Sequence, residues 1–555
     1  MRSLEDVSAD SQFGEAGATL VKRGMRAHRV FRERRTRTAG YVGIVSSFLL
    51  GIPFWLNGED LGSPPLRRES SYSRTTLLLC NQRVPESVAL AEYYAAARQI
   101  PARNVLRISV DPSEEISRAV YETKIAGPLR EMLLRQGWWM PERDPVTARQ
   151  TLRSQFHCLV LFRGMPLKIR AAQDQEPILQ SSAASVDSEL STFGRPGSAS
   201  SGPLKNPYFQ SEVPFAQAGL SNQLVGRIDG PSVHQCRQMI DDSVRAESEG
   251  LWGNAYIDFA QESDSGLDRL QTVAGRLRDQ GIPVTVNRFR QSFPIGYPMR
   301  DPAFYFGSKQ EEVGGVFEDA EFRFRPGAIA AHLSDSCAST IRDAKKSWAA
   351  ALLNRGAAAV VGNVANPDAS LYYRLDLLMD RLSKGFTLAE SASMASESMS
   401  WMGIVLGDPL YRPFTSPGEK IDDRQYAKDD MLPYKVIRLA YGCWGPPVPP
   451  EDLVRKLEMA SAKLPLPELI EHLGLLASEM GNFRDARTHF MRARNQYSAR
   501  EDQLRMDLHL ANLAWAQNDK LKARNIWLEA ADAFRDIPAG KAPQEFMKVF
   551  QTAQQ

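Results

Sequence analysis

The densest group of side chains able to do chemistry consists of Ser334, Asp335, Ser336 and Cys337, directly after an apolar run. A cysteine thiolate is a nucleophile, and a neighbouring carboxylate can serve as a base or as a metal ligand. The run that precedes them, residues 328–333, has the length and composition of a buried strand. Ligands bind beyond the carboxyl ends of strands in parallel α/β sheets, so this group stands where a site is expected.

A base for Cys337 is harder to find. His332 comes five residues before Cys337, which is roughly 16 Å along a strand at ~3.3 Å per residue. A thiol without a base keeps a pKa near ~8.5 and stays mostly protonated at neutral pH. Asp335 is the best alternative base because it neighbours Cys337 and follows the strand directly. Whether the chain is an enzyme therefore stays open.

Polar residues also accompany other apolar runs of strand length, and these are candidate ligand-binding residues: Asn81, Arg163, Asp187, Glu189, Asp258 and Asn363. Asp187 and Glu189 lie on a loop or helix start, where capping is the alternative role. The five cysteines are far apart and form no CxxC pair, which argues against a zinc site and a disulfide framework. The sequence has no phosphate-loop, HExxH or GxSxG motif, so no cofactor or metal is predicted.

Apolar runs alternate with helical patterns over residues 74–414. The runs are Thr76–Cys80, Val105–Val110, Cys158–Phe162, Leu224–Ile228, Ala255–Phe259, Pro283–Val286, Ala303–Phe306, Ala328–Leu333 and Ala358–Val364. Continuous apolar strands separated by helices predict an α/β domain with a mainly parallel sheet and helices on both faces.

The N-terminal part has the pattern of a targeting segment. Eight basic residues and one acid lie between Lys22 and Arg37, and the 18-residue run 39–56 is uncharged. This order predicts a basic cytoplasmic tail over 1–38 and a signal anchor or signal peptide over 39–56, followed by a linker over 57–73. The rest of the chain would then be membrane-anchored or secreted, outside the cytoplasm. The alternative is a buried core helix behind a disordered tail. The net charge of +2 gives no case for nucleic acid as a partner.

The C-terminal part changes character. Residues 415–450 are polar and then Pro-rich and are predicted as a linker, whereas residues 451–555 carry only helical patterns. Two segments of this tail match each other and the spacing of TPR repeats. They contain Leu473, Gly474, Gly481, Phe483, Ala486, Phe490 and Ala493, then Leu510, Ala511, Asn518, Lys520, Ala523, Trp527 and Ala530. The resemblance implies an all-α, TPR-like tail that docks a protein or peptide around Leu473, Phe490 and Trp527. The alternative is a plain helical bundle that buttresses the large domain.

The order of elements in the large domain resembles the caspase-like fold of gingipain-type cysteine peptidases. The matching pieces are Phe304–Ser308, Ile329–Cys337, Trp348–Val364 and Gly407-Asp408-Pro409. In this resemblance Cys337 stands at the place of the nucleophile. The base of such peptidases is a histidine between glycines, and this sequence has Ser308 there instead. Asp408 and Pro409 are also typical of a simple turn.

A second resemblance is more specific. The chain is similar to an uncharacterised bacterial family of exported proteins in stretches such as RVPESVALAEYYAAARQIPARNV, LFRGMPLKI, ASVDSEL, GAAAVVGNV and SWMGIVLGDPLYRPF. It extends from about Leu77 to Phe414 and implies export without a known activity. Members of that family often have serine near the position of Cys337, which weakens the peptidase interpretation.

Three functions are left by these observations. The first is an exported or membrane-anchored, non-catalytic binding or assembly protein, with the tail as the docking part and residues 39–56 in the membrane. The second is a caspase-like hydrolase with an atypical site near Asp335 and Cys337. The third is a receptor that binds a small molecule or glycan at the strand ends.

Overall fold

The computed structural model describes residues 72–143, 150–172, 178–193, 202–259, 264–289, 291–308, 310–414, 429–442 and 448–552. The predicted basic tail, the uncharged run 39–56 and the linker up to residue 71 lie outside these described residues. Within them, none of the helices is long and apolar enough to cross a membrane.

The strands of the described residues follow in chain order. They are β1 (Thr76–Asn81), β2 (Val105–Ile108), β3 (Glu115–Ile116), β4 (Trp139–Arg143), β5 (Gln150–Ser154), β6 (Cys158–Phe162), β7 (Lys168–Ile169), β8 (Ala184–Ser185), β9 (Leu204–Lys205), β10 (Leu224–Ile228), β11 (Asn254–Asp258), β12 (Val284–Asn287), β13 (Pro302–Ser308), β14 (Ile329–Leu333), β15 (Ala359–Asn363), β16 (Ser398–Met399) and β17 (Gly403–Gly407).

The helices are numbered in the same way. They are α1 (Tyr72–Thr75), α2 (Pro85–Ala97), α3 (Arg118–Val120), α4 (Gly127–Arg135), α5 (Val186–Ser191), α6 (Val233–Glu249), α7 (Asp264–Asp279), α8 (Trp348–Asn354), α9 (Leu375–Ser383), α10 (Leu388–Met394), α11 (Leu432–Tyr441), α12 (Pro450–Lys463), α13 (Pro467–Glu479), α14 (Phe483–Gln496), α15 (Arg500–Ala516), α16 (Lys520–Ala533) and α17 (Lys541–Thr552). A π-helical segment, Tyr121–Ala126, joins α3 to α4.

Ten strands form one sheet in the order β12-β11-β13-β14-β15-β17-β10-β6-β1-β2. The neighbouring strands from β12 to β15 are parallel, as are the neighbours from β10 to β2. β17, the last of the described strands in chain order, lies between these two groups and runs antiparallel to β15, with Asn363 opposite Gly403. The sheet is therefore mainly parallel, which confirms the fold class predicted from the apolar runs.

Both faces of the sheet are covered. In β1, Leu77 and Leu79 pack in a core with α4 residues, whereas Leu78 and Cys80 pack on the other face with α2 residues. All six residues of β1 are buried. A strand buried on both faces is mostly apolar, because alternate side chains enter different cores. That requirement explains the continuous apolar runs in the sequence.

The segment 415–450 is not a continuous linker, because α11 occupies residues 432–441 within it. Leu432, Val436 and Ile437 are buried and share a core with residues of α12 and α13. Pro433 lies in the first turn, and Gly442 ends the helix in the left-handed conformation (φ 66°), where glycine has no steric penalty. The surrounding polar and proline-rich residues conceal this short helix in the sequence.

Helices α12 to α17 form the C-terminal all-helical region, in which consecutive helices pack together. The turns after α13 and α15 contain Gly481 (φ 76°) and Asn518 (φ 60°), the two residues that the sequence places in left-handed turns. A Cβ atom on Gly474 would lie 2.6 Å from the ring of Phe490, so glycine allows α13 and α14 to approach closely. Helical stacking is thus present, and the TPR assignment stays a prediction.

The tail shares a core with the large domain. Phe289, two residues after β12, lies with its ring centroid 5.3 Å from Trp515, 5.8 Å from Trp527 and 5.1 Å from Phe546. Arg300 forms ion pairs with Asp502 (2.5 Å) and Glu468 (2.7 Å) of the tail. The tail is therefore packed against the α/β domain through aromatic and ionic contacts.

Candidate functional site

Cys337 lies in the turn after β14 and is 2% exposed. Its Sγ accepts a hydrogen bond from the backbone N–H of Asn363 at 3.2 Å, and a Cβ atom on Gly362 would lie 2.8 Å from it. Burial raises the pKa of the thiol above its ordinary value. The sulfur therefore packs against β15 as a small buried group, in its protonated form.

His332, the histidine closest in sequence to Cys337, is fixed elsewhere in the core. Its ring stacks on Trp348 with centroids 3.7 Å apart and an interplanar angle of 6°. Its Nδ1 lies 3.0 Å from the hydroxyl of Tyr305. Burial lowers the pKa of His332 to about 3, so the ring is neutral at physiological pH. Among the described residues, His332 forms no hydrogen bond with the Cys337 thiol.

Asp335 is near Cys337 in the chain, but its hydrogen bonds are to other residues. Its Oδ1 accepts a hydrogen bond from the Tyr372 hydroxyl at 2.5 Å, and its backbone N–H donates to Glu311 at 3.2 Å. Ser308 is half-buried at the end of β13, in register with Leu333 of β14. The structure thus gathers Ser308, Asp335 and Cys337 at one end of adjacent strands without joining them into a hydrogen-bonded catalytic set among the described residues.

Asp258 ends β11 and is fully buried. Its carboxyl group accepts hydrogen bonds from Asn287 Nδ2 (3.1 Å), the backbone N–H of Phe293 (3.2 Å) and the hydroxyl of Tyr305 (3.4 Å). Burial outweighs these bonds and raises its pKa to about 7. Asp258 holds the loop after β12 onto the sheet and lies out of reach of solvent.

Two predicted ligand-binding amides differ in their surroundings. Asn81 Nδ2 donates to the carbonyls of Val110 and Gly164, both at 2.8 Å, so Asn81 joins three chain segments. Asn363 Nδ2 is buried and, like the nearby Ser334 Oγ, has no hydrogen-bond partner within the described part of the chain. Buried polar atoms of this kind are usually satisfied by water or a ligand.

Glu189 belongs to α5 and has two partners. Its carboxylate accepts a hydrogen bond from Ser400 Oγ at 2.6 Å and forms an ion pair with Arg118 at 2.8 Å. Ser400 has a φ of 51°, an unusual conformation for a residue other than glycine. This hydrogen bond attaches the segment before β17 to α5, so Glu189 holds that segment in place.

Asp187 lies two residues before Glu189, in the same first turn of α5, and belongs to a buried ionic network. Helix α5 starts after Ser185, whose Oγ accepts the Ser188 N–H at 2.9 Å and donates to the Gly403 carbonyl at 2.6 Å. Asp187 then accepts from Nε and Nη2 of Arg227 on β10, at 3.1 Å and 2.6 Å. Arg227 also donates to the carbonyl of Met165 at 3.1 Å. This bidentate pair is buried on both sides and needs such extra bonds to offset the desolvation of its charges.

The network continues at Asp229, immediately after β10. Nη1 of Arg227 lies 3.3 Å from Asp229, and Arg342 binds the same carboxylate with both terminal nitrogens. Arg163, after β6, donates to the carbonyl of Gly230 and lies 3.8 Å from Asp229. The structure therefore brings the predicted residues Arg163 and Asp187 into one site at the carboxyl ends of β6 and β10. We call the group Arg163, Asp187, Arg227, Asp229 and Arg342 the arginine cluster.

Asp408, in the predicted Gly-Asp-Pro turn, has a structural environment. Its buried carboxylate accepts hydrogen bonds from the Tyr94 hydroxyl and from Arg98 Nε, both at 2.6 Å. It also accepts from the backbone N–H of Leu410 at 2.9 Å, a contact typical of aspartate in turns. Asp408 thus attaches α2 to the chain after β17.

The predicted docking residues of the tail are internal. Leu473, Phe490 and Trp527 are all buried, with at most 2% of their surface exposed. They pack helices together and present no side chain to a partner. A docking surface on the tail would have to consist of other residues.

Comparisons with known proteins find little similarity to this chain. No family model matches the chain, and no curated protein matches it. A solved structure described as "Structure of Protease" aligns with 62% of this chain and 79% of its own, at a TM-score of 0.33 and 9% sequence identity. A likeness of this size assigns neither family nor activity. The fold and site define an α/β protein with a buried ionic network and a packed helical tail.

Proposed function

We propose that this protein is a non-catalytic binding protein. The observation that carries the proposal is the environment of Cys337, the residue at the place of a caspase-like nucleophile. Its thiol is buried, its pKa is raised by burial, and its sulfur is engaged with the backbone of Asn363. Nucleophilic cysteines need an accessible thiolate and a base within hydrogen-bond reach, and Cys337 has neither among its described contacts.

A caspase-like hydrolase remains the second candidate, because Ser308, Asp335 and Cys337 do occur at adjacent strand ends. To act, it would have to expose Cys337 and turn Asp335 away from Tyr372. A positioned base contributes about 10²- to 10⁴-fold to a reaction of this kind. Without such a base, peptidase activity at neutral pH should be weak or absent.

Labelling with a thiol-reactive peptide probe across pH separates the two candidates. We expect slow labelling of Cys337 in the folded protein, with Cys337→Ala as the control for other cysteines. Selective and rapid labelling at neutral pH that is lost in Asp335→Asn would contradict the binding-protein proposal. The other buried thiols, Cys80, Cys158 and Cys236, supply internal standards for access by local unfolding.

Export also belongs to the proposal. It is supported by the basic run and the uncharged segment 39–56, which together have the order of a signal anchor or signal peptide. We infer that the tail and the α/β domain act as one folded unit, since aromatic residues of the tail share a core with Phe289. Partner docking would then use the exposed sides of the tail helices.

A further inference from the structure

We propose that the arginine cluster is a binding site for a small oxyanion group, a phosphate or a carboxylate. This inference deepens the proposed binding function and rests on it. Its basis is an excess of cations around one carboxylate: Arg163 and Arg342 both approach Asp229 and both contact the carbonyl of Gly230. Arginine presents a planar fork of donors that suits carboxylate and phosphate oxygens.

The charges within the cluster do not balance. Asp187 is engaged by Arg227, and Asp229 is shared by Arg227 and Arg342. Arg163 lies at 3.8 Å from Asp229 and has no carboxylate within hydrogen-bond distance among its described contacts. Three guanidinium groups thus surround two carboxylates, both of them buried. Glu114 accepts hydrogen bonds from Thr340 Oγ1 (2.6 Å) and the backbone N–H of Ile341 (2.9 Å), and among the described residues it forms no ion pair with an arginine of the cluster.

Two of the three arginines are accessible. The side chains of Arg163 and Arg342 are 23% and 24% exposed, whereas Arg227 is fully buried. Arg227 therefore acts within the protein, whereas the two outer arginines are partly open to solvent. A partly buried cation binds an anion more strongly than a freely exposed one, because the surrounding dielectric is lower.

The location adds a second source of positive potential. The 17-residue helix α6 starts at Val233, three residues after Gly230. A helix N-terminus carries about half a positive charge and favours anions. The site also lies beyond the carboxyl ends of parallel strands β6 and β10, where ligands bind in sheets of this type. The excess of arginine, its exposure to solvent and its place at the strand ends therefore all favour an oxyanion as the ligand.

Calorimetric titration with inorganic phosphate, and separately with succinate, at constant ionic strength tests the site on the full chain. We expect one of these anions to bind the wild type, and Arg163→Met to weaken that binding about tenfold or more, as for charged hydrogen bonds. Arg163→Met is suitable because Arg163 contributes least to holding Asp229. Arg107→Met is the matched control, since Arg107 pairs with Glu92 on the surface and lies on the edge strand β2, which β1 separates from β6. Binding of phosphate alone identifies the phosphate class, and binding of succinate alone the carboxylate class.

Absence of binding by both anions to a folded wild type would overturn the inference, as would equal affinities in Arg163→Met and wild type. A second variant, Asp229→Asn, removes the carboxylate that competes with the ligand. Added anion should raise its unfolding midpoint more than that of the wild type. An equal rise in both would also count against the site. Cys337-dependent peptidase activity would instead overturn the proposed function and leave the anion measurement unaffected.

Discussion

Replacement of Asp258 by asparagine should change how the stability of the protein depends on pH. Asp258 is fully buried, and its pKa is raised from 3.8 to about 7, chiefly by burial. In the unfolded chain the same carboxyl group loses its proton near the ordinary value. Between pH 3.8 and about 7 the folded protein keeps this proton, whereas the unfolded chain has lost it, so folding takes up a proton. The free energy of unfolding therefore falls as pH rises through this window.

The size of this effect follows from the two pKa values. One pKa unit corresponds to ~1.4 kcal/mol, so the rise from 3.8 to about 7 costs about 4 kcal/mol once the carboxyl is ionised. Asparagine stays neutral and keeps an oxygen that can accept from the Phe293 N–H. Asp258→Asn should be about as stable as the wild type near pH ~4 and more stable above pH ~7, by up to about 4 kcal/mol.

Equilibrium unfolding in urea at a series of pH values measures this difference. Asp241→Asn is the control for the removal of an exposed carboxylate, because Asp241 is 50% exposed on α6. The reasoning would be refuted by parallel profiles for Asp258→Asn and wild type. A variant that loses stability most at alkaline pH would show that the carboxylate form is the one favoured by the fold.

Three further outcomes are expected. Trp527→Ala should lower the free energy of unfolding by about 3–5 kcal/mol, as for large buried aromatics, whereas Leu521→Ala on the same helix should have little effect because Leu521 is 67% exposed; urea unfolding of both variants checks this. Arg98→Met should lower the free energy of unfolding by about 3 kcal/mol or more, because it leaves the buried carboxylate of Asp408 without its cation. An unchanged midpoint in urea unfolding would contradict this. A reporter fused after Ser73 should be active outside the cytoplasm, and cytoplasmic activity would refute export.

The sequence predicts the α/β class because its strands are apolar on both faces, and that pattern is local. It does not predict the arginine cluster, whose members come from distant segments. Arg342 binds Asp229 across 113 residues, a contact without a local signal. Arg227 does carry a signal, since it is a charged residue inside the otherwise apolar run of β10. A charge in such a strand must be paired in the core, so Arg227 indicates a buried carboxylate partner, but only the structure identifies Asp187 and Asp229.

The burial of candidate residues was also not predictable from their strand-end positions. Asp258 and Cys337 stand where ligands usually bind, but the loop around Phe293 and the turn before α8 cover them. Tail packing is another case. The alanine and aromatic positions predict helices in contact, whereas the insertion of Phe289 among Trp515, Trp527 and Phe546 depends on tertiary structure.

The position of β17 has a consequence for the order in which the chain folds. A ribosome releases β10 and β15 long before β17, yet β17 lies between them in the finished sheet. Until Gly403–Gly407 is synthesised, both partners present unpaired strand edges, and open edges of this kind promote aggregation. Insertion of β17 between β15 and β10 pairs segments that are distant in the chain, which slows folding. Chains truncated before residue 403 should therefore be recovered mainly in aggregates, or bound to chaperones that cover exposed strands.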